Sequence, residues 1–441
     1  MSKCEATVLR ETPIGAVASD WEMGVIGDFV TALRAGVSVN AVETESGRAE
    51  NEVGVLKTGA VLQGKFYAKQ HKIVVPEDTG RVATSVVGDR IIISRMNTPA
   101  LVGESGYVPE DVPNLFLPDR LWQTEPSARP QSQRWLSYWL QHPSIRRLIA
   151  AGATGTSNSM KNISKETVLS LPVPLTPLPE QKKIAATLAA VDDKLDVITR
   201  QIESTETLKQ GMMQVLFSRG VGTEDTDGGW LPHTEFMDSE LGEIPVGWNV
   251  LSLSDVVDNL DKHRIPLKQS DRALRKGEYP YYGASGVIDW IDEFIFDGDF
   301  ILLGEDGENV VSRNLPLAFR ATGKIWVNNH AHVFQPKSDF DIQFLVELLE
   351  SIDYSHLASG TAQPKITQQA LRQLRFAVPP YAEQRRIGAV LAALESKLAL
   401  LRDKLDNYQT LKSGLMQKLL TGEWRVKVET AVPEAEPEVT A

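Results

Sequence analysis

Few residues in this chain are spaced to do covalent chemistry. His330 and His332, in Asn-Asn-His-Ala-His, stand two apart, so on a strand both rings would face one side as a metal pair does. No third ligand lies nearby, and the chain holds seven histidines and one cysteine, Cys4. The pair therefore reads as a polar face used for hydrogen bonds, and no metal site is expected. Glu305-Asp306-Gly307-Glu308 has oxygens for a cation and equally the composition of a tight turn. Val378-Pro379-Pro380-Tyr381 has the outline of the loop with which adenine methyltransferases hold the amino group of a flipped base. Valine offers that amine no acceptor, and no glycine-rich cofactor loop precedes the tetrapeptide. A G-x-x-x-x-G-K-[ST] phosphate cradle does not occur in the sequence. No catalytic residue is assigned.

Other polar residues suit the reading of base edges, where Arg or Lys pairs with guanine and Asn or Gln with adenine. Such residues are usually carried on loops after short apolar strands. The candidates in the first half are Arg95, Asn97, Ser157, Asn158 and Lys161. Those in the second half are Tyr282, Ser285, Arg313, Asn314, Lys324, Asn328, Asn329, His330, Gln363 and Lys365. Each also reads as a turn cap or a solvated charge. Residues 155–161 (Gly-Thr-Ser-Asn-Ser-Met-Lys) and 360–365 (Gly-Thr-Ala-Gln-Pro-Lys) stand out among them. They recur at equivalent places, and their small residues let backbone come close to phosphate.

The elements that must position these residues are repeated. Ile163 to Gly220 aligns without a gap with Ile366 to Glu423, with 19 identical positions of 58. Each copy carries an apolar stripe in alternating steps of four and three, the seam of a coiled coil. The first stripe is Ile184, Leu188, Val191, Leu195, Ile198 and Ile202; the second is Ile387, Leu391, Leu394, Leu398, Leu401 and Leu405. The spacing predicts two long helices packed antiparallel on each other. Pro177 and Pro179, then Pro379 and Pro380, mark their starts, and Gly220, Gly222 and Gly422 their ends. Glu180 and Glu383 fall in the first turn, where the helix dipole favours an acid. Gly211 and Gly414 share one place in the two copies, which predicts close backbone approach there, to the other helix or to a partner subunit. Upstream, Trp21 and Asp28 match Trp248 and Asp255. Short apolar runs, Arg90 to Ile93 and Phe300 to Leu303, predict strands; Trp135 to Leu140 and Ile342 to Leu349 predict helices.

The expected fold is therefore two α/β (α+β) domains separated by two long antiparallel coiled-coil helices, with an internal pseudo-two-fold repeat. The expected boundaries are 1–176 for the first variable domain and 177–222 for the first helical region. Then come 223–379 for the linker and second domain, 380–424 for the second helical region, and 425–441 for an acidic disordered tail. One cysteine and the absence of a signal-like or membrane-spanning apolar run suit a reducing cytoplasm. The net charge of −12 opposes tight DNA binding by the chain alone, because phosphate contacts require Lys and Arg. The imbalance is local: residues 20–160 hold 14 basic and 15 acidic residues, residues 240–360 hold 10 and 20.

This plan, with Glu-Gln-Lys-Lys-Ile at 180 and Glu-Gln-Arg-Arg-Ile at 383, resembles the specificity subunit of Type I restriction–modification systems. The resemblance extends into the variable segments, through VLKTGAVLQGKFY and GDRIIISRMNTPALVG in the first and YPYYGASGVIDWIDEFIFDGDFILLGEDG in the second. Departures are small: Tyr-Ala-Glu-Gln stands at the second helix start where Leu-x-Glu-Gln is usual, and Gly388 stands where the first copy has alanine. The resemblance implies a non-catalytic subunit that reads a bipartite target in double-stranded DNA through two target recognition domains. It implies two methylation subunits, which bring S-adenosylmethionine and methylate adenine N6, and two motor–nuclease subunits using ATP and Mg2+. This chain would hold none of those cofactors. The alternative is a structural adaptor whose coiled coil holds two protein-binding domains.

Overall fold

A computed structural model describes residues 7–44, 47–49, 51–155, 160–224, 226–360 and 364–428. The chain divides into two compact units: Met1–Val197 with Leu405–Ala441, and Ile198–Lys404. Each unit holds one variable segment, the opening of the long helix that follows it and the closing part of the other. The long helices span Leu178–Arg219 and Tyr381–Leu420. The first, at 42 residues, is about 63 Å long at 1.5 Å per residue.

In the first unit a six-stranded sheet has the order Val30–Ala35, Leu121–Pro126, Arg90–Ser94, Ser105–Val108, Gly64–Phe66, Val61–Leu62. Arg90–Ser94 lies in the middle because Ile91, Ile92 and Ile93 are all buried, which suits a strand covered on both faces. Helices Gln133–Leu140 and Pro143–Gly152 lie against it, with Trp135 and Trp139 fully buried. In the second unit the order is Val257–Asn259, Ala331–Pro336, Phe296–Gly304, Ala318–Val327, Lys276–Gly283, Gly286–Ile291. Its central strand carries buried Phe300 to Leu303, and helix Ile342–Glu350 packs on it.

Within each unit the long-helix segments run antiparallel. In the first, Lys412 Nζ lies 2.6 Å from Asp192, and Arg425, beyond the helix end, lies 2.7 Å from Glu180. Met416, Leu419 and Leu420 share a core with Ile184, Ala185 and Leu188. In the second, Lys209 lies 2.8 Å from Glu395 and Arg402 2.8 Å from Glu206, while Leu216 shares a core with Ile387 and Leu391. Lys209 and Lys412 are the same position of the repeat, as are Asp192 and Glu395, so each unit carries one such interhelical pair. Of the apolar stripe, Ile184, Leu188, Val191, Leu195, Ile198, Ile387, Leu391, Leu398 and Leu401 are buried. Ile202, Leu394 and Leu405 are half-buried.

The Glu-Gln pair that opens each helix has a cause beyond the helix dipole. Gln181 accepts from Ser132 N at 2.9 Å and donates to Thr176 O; Gln384 accepts from Asp341 N at 2.9 Å and donates to Pro379 O. Ser132 and Asp341 are the N-caps of the helices Gln133–Leu140 and Ile342–Glu350. Each glutamine thus fixes the start of its long helix to the start of a domain helix through a buried amide. Gly388 marks a close crossing of the same pair in the second unit. A Cβ there would lie 2.8 Å from Phe344 N.

Gly211 and Gly414 correct the expectation of a close approach to the other helix. A Cβ at either would meet nothing within 4 Å. Around Gly211 the helix surface is apolar, with Leu208 and Val215 about half exposed.

Candidate nucleic-acid interface

Both variable domains hang a loop from the same scaffold. In the first, Thr154 and Asn162 exchange backbone hydrogen bonds of 2.8 Å, closing the base of 155–161. Asn97 pairs with Lys161 and Met96 with Asn162 in a short antiparallel ladder, and Ile163 N donates to Arg95 O. In the second, Ser359 and Lys365 exchange bonds of 2.9 Å, closing the base of 360–364. Asp306 forms a bridge with Lys365, and Ile366 N donates to Glu305 O. The loop base is thus tied in both cases to the segment that follows the buried central strand, Arg95–Asn97 in one unit and Glu305–Asp306 in the other. Ser157, Asn158 and Gln363 lie outside the described residues.

In the first unit the structure brings Arg95, Asn97 and Lys161 together. Lys161 Nζ donates to Gly155 O at 2.6 Å, bracing the loop base, and Asn97 Oδ1 accepts from Thr98 N. In the second unit it brings together Tyr282, Ser285, Asn328, Asn329, His330 and Lys365. The turn 283–286 meets the 304–309 segment closely: a Cβ on Gly304 would lie 2.6 Å from Ala284 O. Asn309 reaches Ser285 Oγ, and Asn328 N donates to Tyr282 O. Tyr282 stacks on Phe319 with ring centres 6.0 Å apart, and burial pushes its hydroxyl pKa up. Asn328 is buried and accepts from His330 N, which shapes the turn and leaves Asn329 exposed.

Three candidates fall elsewhere. Arg313 sits in a left-handed conformation at φ 52°, and its guanidinium is spent on Glu350 at 3.0 Å and on the Glu350 carbonyl. Asn314 follows it, exposed. Lys324 lies far along its strand from the cluster, with Nζ 4.7 Å from the centre of the Phe294 ring.

Beneath the second cluster lies a set of charges that sequence spacing did not reveal. His332 is fully buried, with Nδ1 2.6 Å from Asp261 Oδ2 and Nε2 3.0 Å from Ile366 O. Asp261 also accepts from Val333 N at 2.8 Å and from Gln368 at 2.6 Å. Arg264 donates to Glu305 at 2.7 Å and to Ala331 O, and Lys365 lies 2.9 Å from Glu305. Burial pushes the Asp261 carboxyl up, but the His332 hydrogen bond and charge, the Val333 amide and Arg264 outweigh it and bring it down to about 2. Glu305 is likewise lowered: the bonds from Arg264 and Lys365 outweigh its burial. His330 and His332 are not one face. His330 sits exposed in the turn against Asp306 at 2.9 Å, while His332 points into the core. Glu305-Asp306-Gly307-Glu308 is a turn whose acids are met by Arg264, Lys365, His330 and Ser312, with Gly307 at φ +104°. Among the described residues no group of three or more His, Cys, Asp or Glu is placed to hold a metal ion.

Two α/β units, each tying the base of a polar segment to the end of its buried central strand and each carrying long-helix segments, define a protein of two similar modules. The chain belongs to the family described as the type I restriction modification DNA specificity domain, whose model matches residues 18–207 and 245–407. It is similar to a putative type I restriction enzyme MjaX specificity subunit from Methanocaldococcus jannaschii, 26% identical over 434 residues and covering 95% of this chain and 97% of that protein. The MjaVIII specificity subunit of the same organism is 29% identical over 297 residues, 60% of this chain and 65% of that one. The fold matches the crystal structure of a Type I S subunit from M. genitalium with a TM-score of 0.61 at 18% identity, over 91% of this chain and 96% of that one. Among the described residues no helix is long and apolar enough to cross a membrane.

Proposed function

We propose that this chain is the non-catalytic DNA-reading subunit of a type I restriction–modification complex, each unit reading one half of a bipartite target. The observation that carries this is the shared suspension of the two loops, Thr154 with Asn162 and Ser359 with Lys365, each on the segment after a buried central strand. A loop tied at its base by main-chain bonds can vary its side chains without disturbing the sheet. Arg95, Asn97 and Lys161 would contact the first half-site, with the 155–161 loop. Tyr282, Ser285, Asn329, His330 and Lys365 would contact the second. Arg313 and Lys324 would not read bases, since both lie apart from the cluster, one against Glu350 and the other over Phe294.

In this reading the long helices carry partners, two methylation subunits and two motor–nuclease subunits, and the complex acts in the cytoplasm. S-adenosylmethionine, ATP and Mg2+ belong to those subunits and not to this chain. The open apolar surface at Leu208, Gly211 and Val215 supports helix-borne contacts, as does the half-exposed Leu411 at the matching place of the second helix. The acidic excess of residues 240–360 makes the second unit the more dependent on basic surface supplied by a partner.

The test is an exchange of residues 240–379 for the matching domain of a relative, co-expressed with the methylation subunit. Sequencing of methylated sites is expected to show a new second half-site and an unchanged first half-site. A change in both halves, or unchanged methylation, would sink the reading; the latter is what a structural adaptor predicts.

A further inference from the structure

The charges beneath the second loop have a geometry that a plain core does not need. Both ring nitrogens of His332 face acceptors, the Asp261 carboxylate at 2.6 Å and the Ile366 carbonyl at 3.0 Å. Both must therefore donate, and a ring that donates twice carries a positive charge. That charge, with Arg264 and Lys365, faces the carboxylates of Asp261 and Glu305. Buried charges are costly unless each is paired and hydrogen-bonded, and this set meets that condition.

Four segments distant in sequence meet in it. Asp261 and Arg264 come from a short 3-10 turn, Glu305 from the segment after the central strand, and His332 from the neighbouring strand. Lys365, Ile366 and Gln368 follow the 360–364 loop directly. The downstream end of that loop is gripped by a ring N–H on Ile366 O, by Glu305 O on Ile366 N, by Glu305 on Lys365 and by Asp261 on Gln368. The first unit grips the matching residues with the main-chain bond that Ile163 N donates to Arg95 O and with the Asn97–Lys161 ladder.

We propose that Asp261 and His332 are positioning residues for sequence discrimination: they hold Lys365, Ile366 and Gln368 in place against the Asn328–His330 turn. Arg264 and Lys365 meet the carboxylate of Glu305, and His330 that of Asp306, directly beneath the surface that would face phosphate. Neither Asp261 nor His332 touches DNA; both act through Lys365 and the backbone of Ile366. This rests on the second unit reading a half-site.

The test uses the complex with methylation subunits and duplex libraries randomised in one half of the target at a time, read by sequencing of methylated products. Asp261→Asn and His332→Phe are expected to lower discrimination in the second half by about tenfold or more, the size of one lost base contact. The first half should be unchanged. His332→Gln, whose amide can still donate to Ile366 O, should recover part of the loss, which a general loosening of the domain would not predict. Gln368→Ala removes only a surface donor to Asp261 and leaves the core intact, so it decides the matter if the core variants fail to fold; a smaller loss confined to the second half is expected. Wild-type discrimination in all folded variants, or equal loss in both halves, overturns the proposal. A wild-type complex without sequence preference in the second half would instead remove the reading of the half-site, and the proposal with it.

Discussion

Glu180 and Glu383 occupy the same place in the repeat, and the two units use them differently. Glu383 is almost fully buried and accepts from Trp248 Nε1 at 3.0 Å, Val221 N at 2.9 Å and Gly222 N at 3.0 Å, with His233 Nε2 at 3.0 Å. It therefore satisfies donors just beyond the end of the first long helix. Gly220, at φ +69°, lets the chain pass so close that a Cβ there would fall 2.1 Å from its Oε1. Glu180 instead takes a bidentate bond from Arg425, at 2.7 and 2.9 Å, and Arg425 is shared with Asp20 and stacked on Trp21. The same carboxylate serves a main-chain terminus in one unit and a partly exposed guanidinium in the other. The repeat preserves where an acid stands; the residues beyond each helix end supply its partners.

Substitution at the two places should separate these roles most sharply. Glu383→Ala leaves three buried donors without an acceptor and is expected to cost about 3–5 kcal/mol. Glu180→Ala leaves Arg425 its bond to Asp20 and access to water, and should cost about 1 kcal/mol. Urea unfolding of the full chain measures both. Equal costs would mean that the partly exposed Arg425 cluster matters as much as the buried one at Glu383.

The buried histidines of the two units make the next contrast. His142, stacked on Trp139, accepts at Nδ1 from Ser144 N, and burial, with Arg147 nearby, pushes its pKa down to about 4. Below pH 6.5 the unfolded chain takes up a proton that folded His142 resists until near pH 4. Stability of the first unit should thus fall by about 3 kcal/mol as pH drops through that window. Asp261 is lowered too, from 3.8 to about 2, but because its charged form is held by hydrogen bonds and nearby cations, so its contribution is present above pH 4 and lost as pH falls towards 2. Unfolding midpoints followed across pH should lose the upper slope in His142→Gln and the lower slope in Asp261→Asn. A slope between pH 6.5 and 4 that survives His142→Gln would assign it to another group.

The smallest effect compares glycines within the repeat. Gly211→Ala and Gly414→Ala place a methyl in open space on a helix and should each stabilise the free chain by about 0.5–1 kcal/mol. Gly211→Leu and Gly414→Leu should leave the free chain folded and weaken assembly with the methylation subunit, measured by co-purification. Unchanged assembly would make these tolerated surface glycines. Gly388→Ala, by contrast, must push Phe344 N away from 2.8 Å and should destabilise the second unit by about 1–3 kcal/mol.

The repeat, the apolar stripes, the proline starts and the short strands around Arg90 to Ile93 and Phe300 to Leu303 were legible in the sequence. They depend on local rules: a period of side chains, a residue that cannot enter a helix, a run of branched apolar residues. The equivalence of the 155–161 and 360–365 loops was legible for the same reason, since both precede a recognisable helix at equivalent distance. The partners of the polar residues were not. Trp248 meets Glu383 across 135 positions, Asp261 meets His332 across 71, and Ser132 meets Gln181 across 49. Arg313 and Lys365 look alike in sequence as basic residues on loops, and each pairs with a glutamate, yet Arg313 is held against Glu350 away from the cluster while Lys365 stands half exposed within it. A hydrogen bond needs donor and acceptor within about 3 Å and aligned, and over such separations only the packing of sheet and helices within each unit supplies that alignment. Periodicity placed the elements; tertiary packing decided which charges they bury together and which they leave for a ligand.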